Sequence, residues 1–252
     1  MPTIEFYGKV MPRSSHITLP APLKFRRRMP TVDLDMQFTL DILDSTIRVI
    51  CKVNRFSERD DFTNVIWAAT DVCRAVLDLS AFRTGSPAEP FLDRFVNEAG
   101  VMRSITHFTD FLPALCTAYK STDIPKMVEF VLDRPLLAMA LHDLSLAILY
   151  PPHDLRMRCG RAIDAIRAMI GGKGKMKQGW KMVQDRLNAD EAYLQFISER
   201  AQGPRHGDHQ DYRGKEANEL LRRSWNVMNR YLEYLKRGEK HLPESEFPLL
   251  KG

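Results

Sequence analysis

The chain has 252 residues, of which 44% are hydrophobic and 27% are charged. This composition is that of a globular protein and excludes disordered, collagen-like and fibrous classes. The formal net charge of +5 is unevenly distributed, because the residues before Pro152 sum to −1 and the remainder to +6. A negatively charged partner would therefore be attracted to the C-terminal part of the chain.

Alternating apolar residues predict a small antiparallel sheet in the N-terminal region. Met36–Ile42 and Ile47–Val53 have apolar side chains at every second position, and the turn residues Asp44–Thr46 separate them. This pattern is typical of a β-hairpin. Ile4–Val10 and Leu23–Arg28 also have strand character, and we expect them to join the hairpin in one sheet.

The hydrophobic period then changes from two to 3.6. Between Phe62 and Leu77 apolar residues recur three and four positions apart, which predicts a helix that covers the sheet. The stretch from Phe91 to Tyr119 is ambiguous between helix and strand. From Thr122 onward the pattern is almost entirely helical.

Glycine and proline residues mark where the later helices end. The predicted helices are Asp123–Leu132, Pro135–Tyr150, His153–Ile170, Met176–Leu187, Asp190–Ala201 and a long last helix that contains Leu220, Trp225 and Leu235. Gly203-Pro204 is expected to break the helix that begins at Asp190. We predict an α+β protein with a β-rich domain over residues 1–120, an all-α domain over 121–237 and a tail over 238–252.

The sequence also bears on location and cofactors. The longest apolar stretch, Pro135–Tyr150, is shorter than the roughly 20 residues of a membrane span, and the first residues lack a secretory pattern. We therefore expect a cytoplasmic protein without a membrane contact. The four cysteines are far apart in apolar segments, which favours reduced core thiols. No cofactor is expected.

Positive charge is concentrated between Arg156 and Arg186, a segment with a net charge of +7. Such density suits phosphate groups, because each neutralised phosphate releases condensed cations. A solvated helix face is the alternative explanation. The candidate nucleic-acid-binding residues in this segment are Arg161, Arg167, Lys173, Lys175, Lys177 and Lys181. We add Arg205 from the loop near residue 205 to this set.

Titratable groups also gather between the last two predicted helices, in the segment from Glu199 to His209. Histidine is the side chain most easily tuned near neutral pH, and an arginine can hold a phosphate through two hydrogen bonds. Arg200, Arg205 and His206 are therefore candidates for phosphodiester chemistry. The alternative is a polar loop that salt bridges hold in place.

Arg200 followed by five residues and His206, after several helices, resembles the Arg-x(4–6)-His motif of HEPN domains. These all-α modules occur in many prokaryotic RNases, toxins and defence proteins. The resemblance covers residues 122–237 and extends to HEPN-like proteins with a β-rich N-terminal region. It implies a helical bundle that forms a homodimer and cleaves RNA without a metal at the dimer interface.

The resemblance also implies roles for the two motif residues. His206 would assist attack by the RNA 2′-hydroxyl group, and Arg200 would stabilise charge on the phosphate. Ala201 stands where many active members have a polar residue. Non-catalytic members serve as binding or dimerisation modules, so the enzymatic assignment stays open.

Three other patterns favour structural explanations. His206-x-x-His209 offers two metal ligands without further ligands at a typical spacing, so no metal is expected. Gly171–Lys175 lacks the full phosphate-loop pattern and is typical of a turn between helices. His142-Asp143 lies inside an apolar helix and is typical of a core pair.

The sequence thus favours RNA or nucleotide binding, with metal-independent endoribonuclease activity of the toxin or phage-defence type as its enzymatic form. The alternative is a non-enzymatic interaction or scaffold protein, in which the basic helices and the sheet are contact surfaces. An enzyme requires Arg200 and His206 to converge in one cleft. A scaffold would leave them apart or engaged in salt bridges.

Overall fold

The computed structural model describes residues 1–12, 16–105, 111–117, 124–149, 151–172, 176–205 and 214–252. The chain divides into two compact units, Met1–Thr106 and His107–Gly252, each with its own hydrophobic core. This boundary lies earlier in the chain than residue 120. The first unit is built on a sheet and the second is helical, so the predicted α+β class is confirmed.

The first unit contains a six-stranded antiparallel sheet in the order β2-β3-β4-β1-β5-β6. Its strands are β1 (Thr3–Met11), β2 (Leu23–Met29), β3 (Leu34–Leu43), β4 (Thr46–Val53), β5 (Glu89–Val96) and β6 (Met102–Ser104). The predicted hairpin is β3–β4, in which Leu43 pairs with Thr46. Its two turn residues, Asp44 and Ser45, both have positive φ, as the tight hairpin turn of a twisted sheet requires.

Strand β5 begins two residues before the stretch that the sequence left ambiguous, and the rest of it lies within that stretch. Its buried residues are Pro90, Leu92 and Phe95, so their spacing changes from two to three. The cause is a register shift where β5 pairs with Tyr7 and Gly8 of β1. Because a bulge of this kind inserts one residue into the strand, it interrupts the alternation on which strand prediction depends.

Helix α1 (Phe62–Thr84) packs on one face of the sheet, as predicted. Buried side chains from both elements form the core there, among them Phe6, Phe38, Val65 and Ala69. The opposite face of the sheet carries the alternate residues of each strand, and most of these are polar. This unit therefore has a single apolar layer between the sheet and α1.

The second unit contains α2 (Leu112–Leu115), α3 (Ile124–Leu132), α4 (Pro135–Leu149), α5 (Pro151–Gly171), α6 (Met176–Leu187), α7 (Glu191–Arg205) and α8 (Gly214–Lys236). Helix α5 is central, because it contacts α4, α6, α7 and α8. Its buried face includes the predicted stripe of Cys159, Ile163, Ile166 and Ile170. None of the described helices is both long and apolar enough to cross a membrane.

Two glycines allow α5 and α6 to approach closely. A Cβ on Gly171, the last residue of α5, would overlap the Cα of Gly179 on α6. Gly172 then has a positive φ of 78°, which suits a helix C-terminus. The Gly171–Lys175 segment thus connects two helices, and residues 173–175 lie outside the described part.

The C-terminal residues belong to the helical unit and do not form a separate tail. Leu250 forms a parallel bridge with Ala189, between α6 and α7. Arg230 on α8 is buried, and its guanidinium group donates to the carbonyl oxygens of Leu187, Asn188 and Pro248. These bonds join the chain end to the helices, which the proline-containing sequence did not suggest.

Candidate functional site

Helix α7 carries Arg200 near its C-terminal end. The prediction that Gly203-Pro204 breaks this helix is wrong, because α7 continues to Arg205. Pro204 has no N–H group and cannot donate to the carbonyl oxygen of Arg200, four residues earlier. The Nε of Arg156 on α5 donates to that oxygen instead, at 2.8 Å. A buried arginine thus supplies the donor that the proline lacks.

The guanidinium group of Arg200 contacts both α7 and α8. Its Nη2 and Nε lie 3.0 and 3.1 Å from Oε1 of Glu216, at the start of α8. Its carbon atom lies 3.4 Å from the ring centre of Phe196, and Nη1 donates to the carbonyl oxygen of Phe196 at 3.2 Å. The side chain is 27% exposed. A phosphate that bound here would have to compete with Glu216.

A second arginine from α8 completes this cluster. The guanidinium carbon of Arg223 lies 4.1 Å from the ring centre of Phe196 and 4.7 Å from that of Tyr193. Its Nε donates to Glu219 at 2.8 Å. Burial raises the pKa of the Tyr193 hydroxyl above its ordinary value, and the Asn226 amide donates to that hydroxyl. The side chains of α7 and α8 thus interlock through arginine–aromatic contacts.

The other motif residue, His206, lies outside the described part of the chain, as does the side chain of Arg205. The convergence of Arg200 and His206 in one cleft therefore stays a prediction. Helix α7 ends at Arg205, and His206 is the next residue in the sequence. His206 and His209 as metal ligands lie outside the described residues as well.

The basic segment is divided between paired and exposed cations. Asp143 on α4 is buried, and it pairs with Arg158 at 2.9 Å and with Arg161 at 3.2 Å. Arg167 is mostly buried, lies 3.5 Å from Asp164 and stacks over the ring of Trp180. These contacts hold helices together. Arg156, Arg158 and Arg167 are largely buried and do not contribute to an exposed basic surface. The side chain of Arg161 is 45% exposed although it pairs with Asp143.

Two predicted lysines instead line a groove of about 600 Å³ between α6 and α7. Lys177 and Lys181 are exposed on α6, with Trp180 between them in sequence. The remaining lining residues are Gln184, Glu191, Leu194, Gln195, Ser198 and Glu199. The groove therefore combines two cations, an aromatic ring and several hydrogen-bonding groups with two carboxylates. Lys173 and Lys175 precede α6 and lie outside the described residues.

The remaining candidates have structural explanations. The prediction that His142 and Asp143 form a core pair is wrong, because His142 is exposed. Asp143 is buried and pairs with arginines from α5 instead. Among the described residues, no group of three or more histidine, cysteine or acidic side chains is placed to hold a metal ion. Cys51, Cys73 and Cys159 are free and buried, and burial raises the thiol pKa of Cys51 and Cys159 to about 12.

Sequence reasoning did not identify Arg156, Phe196 or Arg223 as parts of the Arg200 environment. Arg156 has one available signal, a proline four residues after Arg200, which leaves a helical carbonyl without its donor. Phe196 also precedes Arg200 by one helical turn, a spacing that places two side chains together. No local signal connects Arg223 with them, because that contact depends on how α7 and α8 pack.

Comparison with known families matches both units. Residues 4–106 match the N-terminal domain of the Domain of unknown function DUF8168, and residues 124–236 match its C-terminal domain. The chain belongs to the DUF8168 family. The two DUF8168 domains correspond to the sheet unit and the helical unit. No curated protein and no solved structure matches the chain.

Proposed function

We propose that the helical unit of this DUF8168 protein binds single-stranded RNA in the groove between α6 and α7. The observation that supports this proposal is the grouping of Lys177 and Lys181 with Trp180 along one wall of the groove. Proteins that hold single strands combine cations for the phosphates with aromatic rings on which bases stack. The guanidinium group of Arg167 on α5 lies 5.7 Å from the ring centre of Trp180 and packs against that ring.

The facing wall offers groups suited to base edges. Gln195 and Ser198 on α7 line the groove, as does Gln184 on α6, and amide groups can both donate and accept hydrogen bonds. The two carboxylates, Glu191 and Glu199, repel phosphates and would restrict the backbone of the RNA to the α6 wall. A bound strand would therefore have its phosphates on α6 and its bases toward α7.

The enzymatic form of the proposal is metal-independent cleavage next to this groove. Glu199 lines the groove and immediately precedes Arg200 on α7, so a strand that continues along α7 approaches the proposed catalytic pair. His206 would accept the proton of the 2′-hydroxyl as its oxygen attacks the phosphorus, and the P–O5′ bond would break to give a 2′,3′-cyclic phosphate. The departing 5′-oxygen would take a proton from solvent, and Arg200, after leaving Glu216, would stabilise the charge on the phosphate. We infer a homodimer for this form from the HEPN resemblance.

One observation favours the non-enzymatic alternative. Arg200 is engaged by Glu216 and by Phe196, which is how a scaffold would use it. In that case the helical unit binds RNA or another partner without cleaving it, and Arg200 only fixes α7 against α8. The enzymatic and the non-enzymatic form bind RNA in the same groove. They differ in whether Arg200 leaves Glu216 to contact the phosphate or stays paired with it.

Charge reversal in the groove tests RNA binding. Lys177→Glu combined with Lys181→Glu should abolish binding of a labelled uridine oligomer at low salt, as measured by fluorescence anisotropy. Lys236→Glu with Lys240→Glu makes the same charge change at two exposed lysines beyond the groove and should have little effect. If each groove lysine neutralises one phosphate, alanine at both positions should reduce the salt slope by about 1.4. An equal loss of RNA binding in the two double variants would contradict the proposal.

A second assay separates the enzymatic form from the binding form. With EDTA present, wild-type protein should cleave the oligomer, and His206→Ala should reduce cleavage by about 10² or more while binding is retained. Glu216→Gln should increase cleavage, because it removes the carboxylate that competes for Arg200. An RNA that binds and stays intact with every variant would support the scaffold form.

A further inference from the structure

Strand β2 is one edge of the sheet, and it pairs with β3 along its length. Leu23 to Met29 pair with Leu40 to Leu34 without a register shift, so the edge is seven residues long and regular. The opposite edge strand, β6, has only three residues. A long, regular edge strand presents backbone N–H and C=O groups at which another strand can pair.

The side chains of β2 are strongly biased in charge. Lys24, Arg26 and Arg28 are exposed on the face of the sheet away from α1, at every second residue. Asp35 of β3 binds the guanidinium group of Arg26 and is the register partner of Arg28, whereas Lys24 lies opposite Thr39. The edge thus has three cations in line and one neighbouring carboxylate.

The other face of β2 has a different character. Arg27 points toward α1 and pairs with Asp71 there, so its charge is neutralised within the unit. Phe25 lies on the same face and is 37% exposed. A strand placed beside β2 would therefore meet cations on one face and an exposed aromatic ring on the other.

This charge pattern disfavours a second copy of β2 as the partner. An antiparallel β2–β2 pair would place cations directly opposite cations on the outer face, and like charges in that position destabilise strand pairing. An acidic side chain at the same position would instead be stabilised by two neighbouring cations. The pattern thus selects the charge of an added strand.

We propose that β2 accepts an extended acidic segment of a partner protein as a seventh strand of this sheet. The segment alternates acidic residues, which face Lys24 and Arg28, with apolar residues, which face Phe25. Main-chain hydrogen bonds provide affinity, and the alternating side chains provide specificity. This proposal concerns the sheet unit and does not depend on RNA binding by the helical unit.

Next to β2, the composition of the outer face favours a peptide over a nucleic acid. The residues of β2, β3 and β4 that point to this face include no aromatic side chain on which a base could stack. Asp35 and Asp41 of β3 lie on the same face and would repel phosphates that spread over it. A peptide strand that pairs at the edge is separated from β3, and so from both carboxylates, by β2.

Peptide binding to the full-length protein tests the proposal. A fluorescent peptide of alternating glutamate and valine, matched to the seven residues of β2, should bind, and a lysine–valine peptide should not. N-methylation of alternate amides on one edge of the peptide should weaken binding by about tenfold or more, because it removes main-chain donors. Methylation on the opposite edge should not.

Protein variants complete the test. Lys24→Glu with Arg28→Glu should exchange the preference, so that the lysine–valine peptide binds and the glutamate–valine peptide does not. Lys9→Glu with Arg94→Glu makes the same charge change on β1 and β5 and should leave peptide binding unchanged. Equal binding of both methylated peptides would show charge attraction without strand pairing and would overturn the proposal. Binding of a uridine homopolymer that is lost with the β2 variants, without peptide binding, would also overturn it.

Discussion

Arg156 supplies a hydrogen bond that α7 cannot make for itself. Pro204 would ordinarily interrupt the helix at the carbonyl of Arg200, yet the buried guanidinium group of Arg156 satisfies that oxygen. The bond lies in a partly buried position, where losing a donor costs more than it does in open solvent. Arg156 therefore supports the turn of α7 that ends next to His206.

A double-mutant cycle can measure this substitution of one donor for another. Arg156→Met should lower the free energy of unfolding by about 1–3 kcal/mol, because the hydrogen bond from its Nε to the Arg200 carbonyl oxygen is lost. Pro204→Ala restores a backbone N–H, so Arg156→Met should cost less in that background. Urea denaturation of the four proteins gives the coupling. An equal cost in both backgrounds would show that Arg156 stabilises the fold by other contacts.

Glu5 gives the sheet unit a pH dependence of known sign. Hydrogen bonds from the Tyr7 hydroxyl and from Arg48 hold the pKa of Glu5 below its ordinary value of 4.5. A lowered folded-state pKa contributes stability that is present above 4.5 and is lost as pH falls through the folded value. In Glu5→Gln, the urea concentration at the midpoint of unfolding should therefore decrease less than in the wild type as pH is lowered below 4.5. Parallel curves for the two proteins would contradict this expectation.

At the scale of helices and strands, the sequence predicted elements that have regular periods and clear ends. Residues 176–187 form the predicted helix, with the predicted bounds. Strand β5 was not predicted because a bulge breaks its alternation. The end of α7 was misplaced because Arg156, distant in sequence, compensates for Pro204. A sequence pattern reflects interactions between residues close in the chain. The bulge of β5 and the end of α7 depend on contacts with other elements, so the pattern does not predict them.

The same limit applies to the candidate site. Clustered charge directed attention to α5 and α6, and Lys177 and Lys181 on α6 are exposed. It could not distinguish them from Arg158, whose side chain is 20% exposed and pairs with Asp143 on α4. That distinction requires the packing of α4 against α5, which a one-dimensional charge count does not contain.

The close contact of α5 and α6 gives a prediction about glycine. Gly171→Ala should destabilise the protein by about 1–3 kcal/mol, since the new Cβ meets backbone atoms of Gly179. Gly179→Ala is the matched comparison, because its Cβ would lie 3.1 Å from a side-chain atom, the Cγ of Arg167, and no closer than 3.5 Å to backbone. We expect that second change to lower Tm less than Gly171→Ala does. An unchanged Tm in Gly171→Ala would show that the two helices can separate without cost.

At the scale of the whole molecule, two cores share one chain. Each unit has its own cluster of buried residues, so each is expected to unfold as its own cooperative step. Cys51 and Cys73 are buried in the first core and Cys159 in the second. In rising urea, thiol labelling followed by mass spectrometry should detect the two sets at different midpoints. A single midpoint for all three would show that the units unfold together.

The central claim is that RNA lies in the groove between α6 and α7, and photo-crosslinking tests it most directly. An oligomer that contains 4-thiouridine should crosslink to the peptides that line the groove, with Trp180 among the labelled positions. Trp180→Leu should reduce that crosslink and weaken binding by about 1–3 kcal/mol, the contribution of one stacked base. Crosslinks that fall only on the sheet unit, or that are unchanged in Trp180→Leu, would contradict the account.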